Sequence, residues 1–198
     1  MMRNILILGA AGLIAQQVIY RLLEQLDVKL TLFLRDEQQL HHLSGHPRIC
    51  LFAGEVEDQE SLYGAMLGQD LVYANLCGNM AAHSQAVVQT MRDTGIRRLV
   101  FVTSMGVYDE IPGAPFGSIL QPYRDATQII EQSGLDYTII RPACLNNRDE
   151  ISYGTTQKGE AFIHPDATVS RKSVADLIVQ VISADYQKYG ESIGVHKL

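Results

Sequence analysis

Apolar positions along the chain fall into two alternating patterns. Short runs at "NILILG" (4–9), "VKLTLFL" (28–34), "RICLFAG" (48–54), "DLVYANLC" (70–77), "RRLVFVTS" (97–104) and "DYTIIRP" (136–142) have the length and continuity of buried strands. Between them lie segments of helical period. In "GLIAQQVIYRLLEQL" (12–26), Ile14, Val18, Leu22 and Leu26 recur at four-residue steps and mark one face. Further helices are expected at 36–43, at 58–67 behind a capping Asp58, at 83–95 up to Gly95, and at 123–134 up to Gly134. A last helix is expected over 170–186 and a last strand over 191–197.

Strand–helix alternation with short links predicts parallel strands covered on both faces, and right-handed crossovers make that a doubly wound sheet. We therefore expect a single α/β domain over residues 1–198. Two stretches lack a period: the Pro- and Gly-bearing 105–122, and 143–169. They are expected to form the walls or lid of a substrate site.

The first crossover carries the clearest chemistry. Gly9 closes a strand, Gly12 opens a helix and Ala15 follows three residues later, giving Gly-x-x-Gly-x-x-Ala. A turn without side chains lets a diphosphate reach main-chain N–H groups at the positive end of the helix. A small third residue lets that helix pack close to the sheet. Glycine also serves tight turns for purely steric reasons, but the position between a buried strand and an amphipathic helix favours dinucleotide binding. At the end of the second strand stands Arg35, followed by Asp36. A guanidinium there suits the 2′-phosphate of NADP, whereas a carboxylate suits the free hydroxyl of NAD. Arg35 favours NADP, with NAD as the lesser alternative.

Composition removes other classes of function. Net charge is −6 without a basic block, so no nucleic-acid partner is expected. No apolar run is long enough to span a bilayer, so no membrane partner is expected either. Cys50, Cys77 and Cys144 are odd in number and far apart, which fits a reducing cytoplasm better than a disulfide framework. His41 and His42 read as a solvated helix edge, and no metal site is expected. A monomer or weak homodimer is expected.

Taken in order, "GAAGLIA", "LRDEQQL", "AGEVEDQESLYGAM", "GQDLVYANLCG", "RRLVFVTSMGVYDE" and "SGLDYTIIRPACL" resemble an atypical short-chain dehydrogenase/reductase with an NAD(P)-binding Rossmann fold. The likeness is to the NmrA-like branch that includes flavin reductase/biliverdin IX-beta reductase, and it covers nearly the whole chain. It implies that Gly9, Ala11, Gly12, Leu13 and Ile14 hold the diphosphate, and that Arg35 meets the adenosine phosphate. Glu55 and Val56 would lie beside the adenine, and Asn75, Leu76 and Cys77 beside a ribose. Thr103 and Ser104 would sit near the nicotinamide, with Pro142, Ala143, Cys144 and Leu145 packed on its face and amide. Cys77 and Cys144 have a plainer alternative as small buried apolar residues.

The resemblance also shows a departure. Reductases of this superfamily commonly pair a Ser with a Tyr and Lys spaced YxxxK. Ser104 and Tyr123 match, but Thr127 stands at the lysine position. Without a nearby cation, Tyr123 is a sluggish acid at neutral pH. Tyr108 is a second candidate donor, with packing beneath the loop as its alternative. Reducing a simple ketone needs a proton at oxygen. A flavin, quinone or similar acceptor delocalises the electrons, and water can protonate it. The expected activity is therefore NADPH-dependent hydride transfer to a small conjugated acceptor, with a non-catalytic NADP-binding sensor as the alternative.

Overall fold

The computed structural model describes residues 2–111, 117–183 and 189–198. Parts of the expected loop 105–122 and of the expected helix 170–186 therefore lie outside the described residues. The strands are β1 (Arg3–Leu8), β2 (Val28–Leu34), β3 (Ile49–Ala53), β4 (Leu71–Ala74), β5 (Arg98–Val102), β6 (Asp136–Pro142), β7 (Leu145–Asn146), β8 (Gly154–Thr156), β9 (Val169–Ser170) and β10 (Glu191–His196). The helices are α1 (Leu13–Gln25), α2 (Gln59–Met66), α3 (Met80–Thr94), α4 (Gln121–Glu131) and α5 (Arg171–Ile182).

Eight strands form one sheet in the order β3-β2-β1-β4-β5-β6-β10-β8. All neighbours are parallel except β10 and β8, which pair antiparallel. β7 and β9 make a separate parallel pair. The chain thus winds outward from β1 through β2 to β3, then returns and winds the other way from β4 to β6. The reversal leaves a crevice beyond the carboxyl ends of β1 and β4, where ligands bind in open α/β sheets.

Side-chain alternation along the strands explains the three layers. Ile5, Ile7, Leu30, Leu32, Leu71 and Tyr73 face α1 and α5 in one buried cluster. Leu6, Leu8, Phe33, Val72 and Ala74 point the other way, with Leu62, Val87 and Ile130 of α2, α3 and α4. Strands apolar on both faces read as unbroken runs, which is why their positions are plain in the sequence.

The structure departs from the sequence expectation in several places, among them α4, which starts at Gln121 and ends at Glu131, short of Gly134. The expected helix 36–43 is a 3-10 segment, Glu37–Leu43, broken by non-helical Leu40. Helix α3 begins at Met80, ahead of the expected residue 83. Strands β4 and β5 end at Ala74 and Val102, so Asn75–Cys77 and Thr103–Ser104 lie in loops beyond the carboxyl ends of these central strands. Residues 143–169 contain three short strands, and β8 makes the sheet mixed where parallel strands alone were expected.

An ion pair lies within the apolar interior. Arg141 in β6 is fully buried. Its guanidinium pairs with the Glu110 carboxylate and donates to Ser192 Oγ at 3.0 Å and to the Ser192 carbonyl at 3.2 Å. The rings of Tyr108 and Phe162 lie 5.1 and 5.3 Å from its carbon centre. This pair ties the loop after β5 to β6 and β10. Removing Glu110 strands a buried cation, so Glu110→Ala is expected to lower unfolding free energy by about 3–5 kcal/mol. In urea titrations, the double variant Glu110→Leu/Arg141→Met should lie closer to the unaltered protein than the single variant does.

Candidate functional site

The turn from β1 to α1 is built around two glycines. Gly9 has a left-handed φ of +74°. A Cβ there would lie 2.3 Å from the backbone oxygen of Asn75, and one on Gly12 would lie 2.3 Å from Asn75 Nδ2. The turn is therefore pressed against the residue that leaves β4. The Gly9 and Ala10 N–H groups donate to Phe33 O at 3.2 and 3.3 Å, which fastens the turn to β2 as well. Gly12 is the N-cap of α1 and supplies no side-chain cap, and the first turn carries no acidic residue. Its leading N–H groups are left for a ligand.

Beside this turn lies a cavity of about 610 Å³. Gly9, Ala11, Gly12, Arg35, Glu55, Val56, Asn75, Leu76 and Cys77, all expected cofactor contacts, line it together. Arg35 is exposed, and its guanidinium has no hydrogen-bond or ion-pair partner among the described residues. The neighbouring Asp36 is occupied elsewhere: its carboxylate accepts from the Gln38 N–H at 3.0 Å and caps the 3-10 segment. The local folding thus aims the cation, not the carboxylate, at the cavity.

Several lining residues lacked a sequence signal. Glu57 accepts from Asn79 Nδ2 at 3.3 Å and pairs with His83 Nε2 at 3.3 Å, closing the rim beyond Gly78. Asn79 and His83 reach the cavity because α3 starts early. Asn79, a residue type favoured at N-caps, directly before "MAAH" was the available clue.

Other expected contacts are placed differently. Ile14 is buried in the core, so only its main chain can face an anion. Leu13 is 58% exposed and lines a second cavity with Arg148, Arg171 and Lys172. Pro142 and Ala143 are buried, and their main chains bond within the sheet: Met105 N to Pro142 O at 3.0 Å, Ala143 N to Val195 O at 2.8 Å. Cys144 is exposed and Leu145 half-buried, so these two are the more open members of that group. Cys77 is also exposed, which removes the buried-packing alternative for both thiols.

Ser104 is half-buried directly after β5, and Tyr123 packs against the core on α4. Thr127 is buried, and its hydroxyl donates to the Tyr123 carbonyl at 2.7 Å, a local backbone bond that leaves the Tyr123 ring without help. Arg124 is held by Gly106 O at 3.2 Å and Asp109 at 2.5 Å. Tyr108 donates to Glu131 Oε1 at 2.7 Å, and Lys158 holds the same oxygen at 2.6 Å. Burial, followed by the Glu131 carboxylate, pushes the Tyr108 hydroxyl well above its ordinary value. Its packing alternative matches this geometry better than proton donation does.

Among the described residues, no helix is long and apolar enough to cross a membrane. Residues 9–185 match the model of a family described as NAD(P)H-binding. The chain is similar to a Rossmann-fold NAD(P)-binding family protein from Shigella flexneri, at 40% identity and TM-score 0.85, covering 100% of this chain and 94% of that one. It is also similar to a short-chain dehydrogenases/reductase from Veillonella parvula in complex with NADP, at 28% identity and TM-score 0.90, covering 100% and 95%. A Bacillus subtilis relative, described as an uncharacterized sugar epimerase, is 23% identical over 89% of this chain and 86% of its own.

The close approach at the glycine turn predicts unequal costs. Gly9→Ala meets both a left-handed backbone and a main-chain oxygen, so a loss of at least about 1–2 kcal/mol is expected in thermal or urea unfolding. Gly12→Ala has an ordinary backbone and meets chiefly the end of the Asn75 side chain, which can move, with Gly9 O farther off at 3.2 Å, so a smaller loss is expected.

Proposed function

The chain belongs to the NAD(P)H-binding family, and from that premise we propose that it is an NADPH-dependent reductase of a small conjugated acceptor such as a flavin or quinone. One juxtaposition carries this reading. A cavity suited to a dinucleotide lies at the sheet reversal, while the position that would assist a tyrosine acid holds buried, back-bonded Thr127.

The residues present fit the coenzyme. Gly9, Gly12 and the uncapped first turn of α1 would hold its diphosphate. Arg35 would meet the 2′-phosphate, and Glu55 and Val56 would flank the adenine. The bound coenzyme supplies the hydride. Ser104 and Thr103, after β5, would orient substrate or nicotinamide by hydrogen bonding. The buried Thr103 hydroxyl has no partner among the described residues, so it is available for one. Cys144 and Leu145 would pack on the ring, and 143–169 with the described parts of 105–122 would exclude water from it. Tyr123, unassisted by a cation, contributes little acid catalysis. Three exposed free thiols suit a reducing compartment such as the cytoplasm.

A non-catalytic NADP sensor is the second reading, and the same Thr127 favours it. Consumption of NADPH in the presence of a flavin or quinone supports the reductase. Tight coenzyme binding without turnover across such acceptors selects the sensor.

Two substitutions test the residue roles. Arg35→Ala is expected to weaken NADPH binding on the order of tenfold while leaving NADH within about twofold, by calorimetric titration. Unchanged NADPH affinity would falsify the role of Arg35. Tyr123→Phe is expected to lower kcat by less than about tenfold, whereas losing a true general acid costs about 10²–10⁴. A hundredfold loss would reinstate Tyr123 as the acid.

A further inference from the structure

The second cavity, about 290 Å³, borders the amino end of α1, as the coenzyme cavity does. The two share no lining residue: Gly12 belongs to one and Leu13 to the other. Its walls are Leu13 and Gln17 of α1, the Asn147–Asp149 segment after β7, and Arg171 and Lys172 opening α5. All three segments stand at the end of the sheet where the coenzyme cavity also opens.

Its charge is unlike that of the whole protein. Three cations, Arg148, Arg171 and Lys172, face one carboxylate, Asp149, in a chain of net charge −6. Lys172 is spent on Asp149, which it holds below its usual pKa. Arg171 donates to Asn147 Oδ1 at 2.7 Å, an uncharged partner. The Arg148 guanidinium has no partner among the described residues; only its backbone N–H is bonded, to Asn146 Oδ1 at 2.8 Å. The two arginines therefore keep uncompensated charge. Against them stands Leu13, an apolar side chain left 58% exposed.

An apolar surface beside guanidinium groups matches an organic anion, not an inorganic one. Guanidinium binds carboxylate and phosphate through paired N–H donors. We propose that this cavity seats the carboxylate or phosphate arm of the acceptor, with the carbon atoms next to that anion on Leu13 and the conjugated ring left beside the nicotinamide. The proposal rests on the reductase reading and narrows it: anionic conjugated acceptors are preferred over neutral quinones. The other possible source of a phosphate here is the coenzyme. Its diphosphate and 2′-phosphate already have the glycine turn and Arg35 in the other cavity.

Riboflavin and riboflavin 5′-phosphate share one ring and differ by a phosphate, so they separate the arm from the body. Flavin fluorescence titrations of the NADP⁺-saturated protein give both dissociation constants. The phosphorylated form is expected to bind about tenfold more tightly. In Arg148→Ala that ratio is expected to fall to about twofold or less, with partial recovery in Arg148→Lys. Equal dissociation constants in the unaltered protein overturn the proposal. So does an Arg148→Ala variant that loses NADP⁺ affinity and keeps its flavin discrimination, because the cations then serve the coenzyme. NADPH consumption with each flavin is read in parallel and reports on the reductase reading alone. Discrimination in binding without any turnover supports the seat and removes the reductase.

Discussion

The site depends on a contact that leaves no room for a side chain. The turn after β1 is packed so closely on Asn75 that a Cβ at Gly9 would stand 2.3 Å from its carbonyl oxygen. That contact holds together the two strands between which the winding direction of the sheet reverses. It also aims the bare amino end of α1 across the crevice. The glycines therefore serve the protein's own packing before they serve a ligand. The uncapped amino end of α1 follows from the steric demand of joining β1, β2 and β4 at one point.

Strand positions were legible because both faces of the sheet are buried. Val28–Leu34 and Asp136–Pro142 coincide with the runs read from the sequence, since most residues in them are buried against one layer or the other. Caps were legible too: Asp58 accepts from the Glu60 N–H at 3.2 Å, and Gly95 takes the left-handed conformation that ends α3. The short strands within 143–169 were not. β8 spans Gly154–Thr156 and owes its position to pairing with β10, a tertiary relation that leaves no local period.

The same distinction divides the site. Gly9, Gly12, Arg35 and Asn75 sit at the ends of regular elements, so their positions followed from the pattern. Whether Arg35 or Asp36 faces the cavity was open, and a single cap hydrogen bond from Gln38 decided it. Glu57, Asn79 and His83 come together only through the early start of α3. The Tyr108–Glu131–Lys158 cluster joins three distant stretches, so the burden carried by Tyr108 was invisible to any motif.

β10 lies between β6 and β8, and the Ala143 N–H bonds to Val195. During synthesis, β8 leaves the ribosome with no strand to lie against, and Arg141 waits without Ser192. The β1–β3 half waits as well, because α5 completes its apolar cover and binds it through Arg21–Asp176 and Arg3 to the Ile182 carbonyl. Both flanks of the sheet are therefore sealed by late segments, α5 over β1 and β2, and Glu191–His196 between β6 and β8.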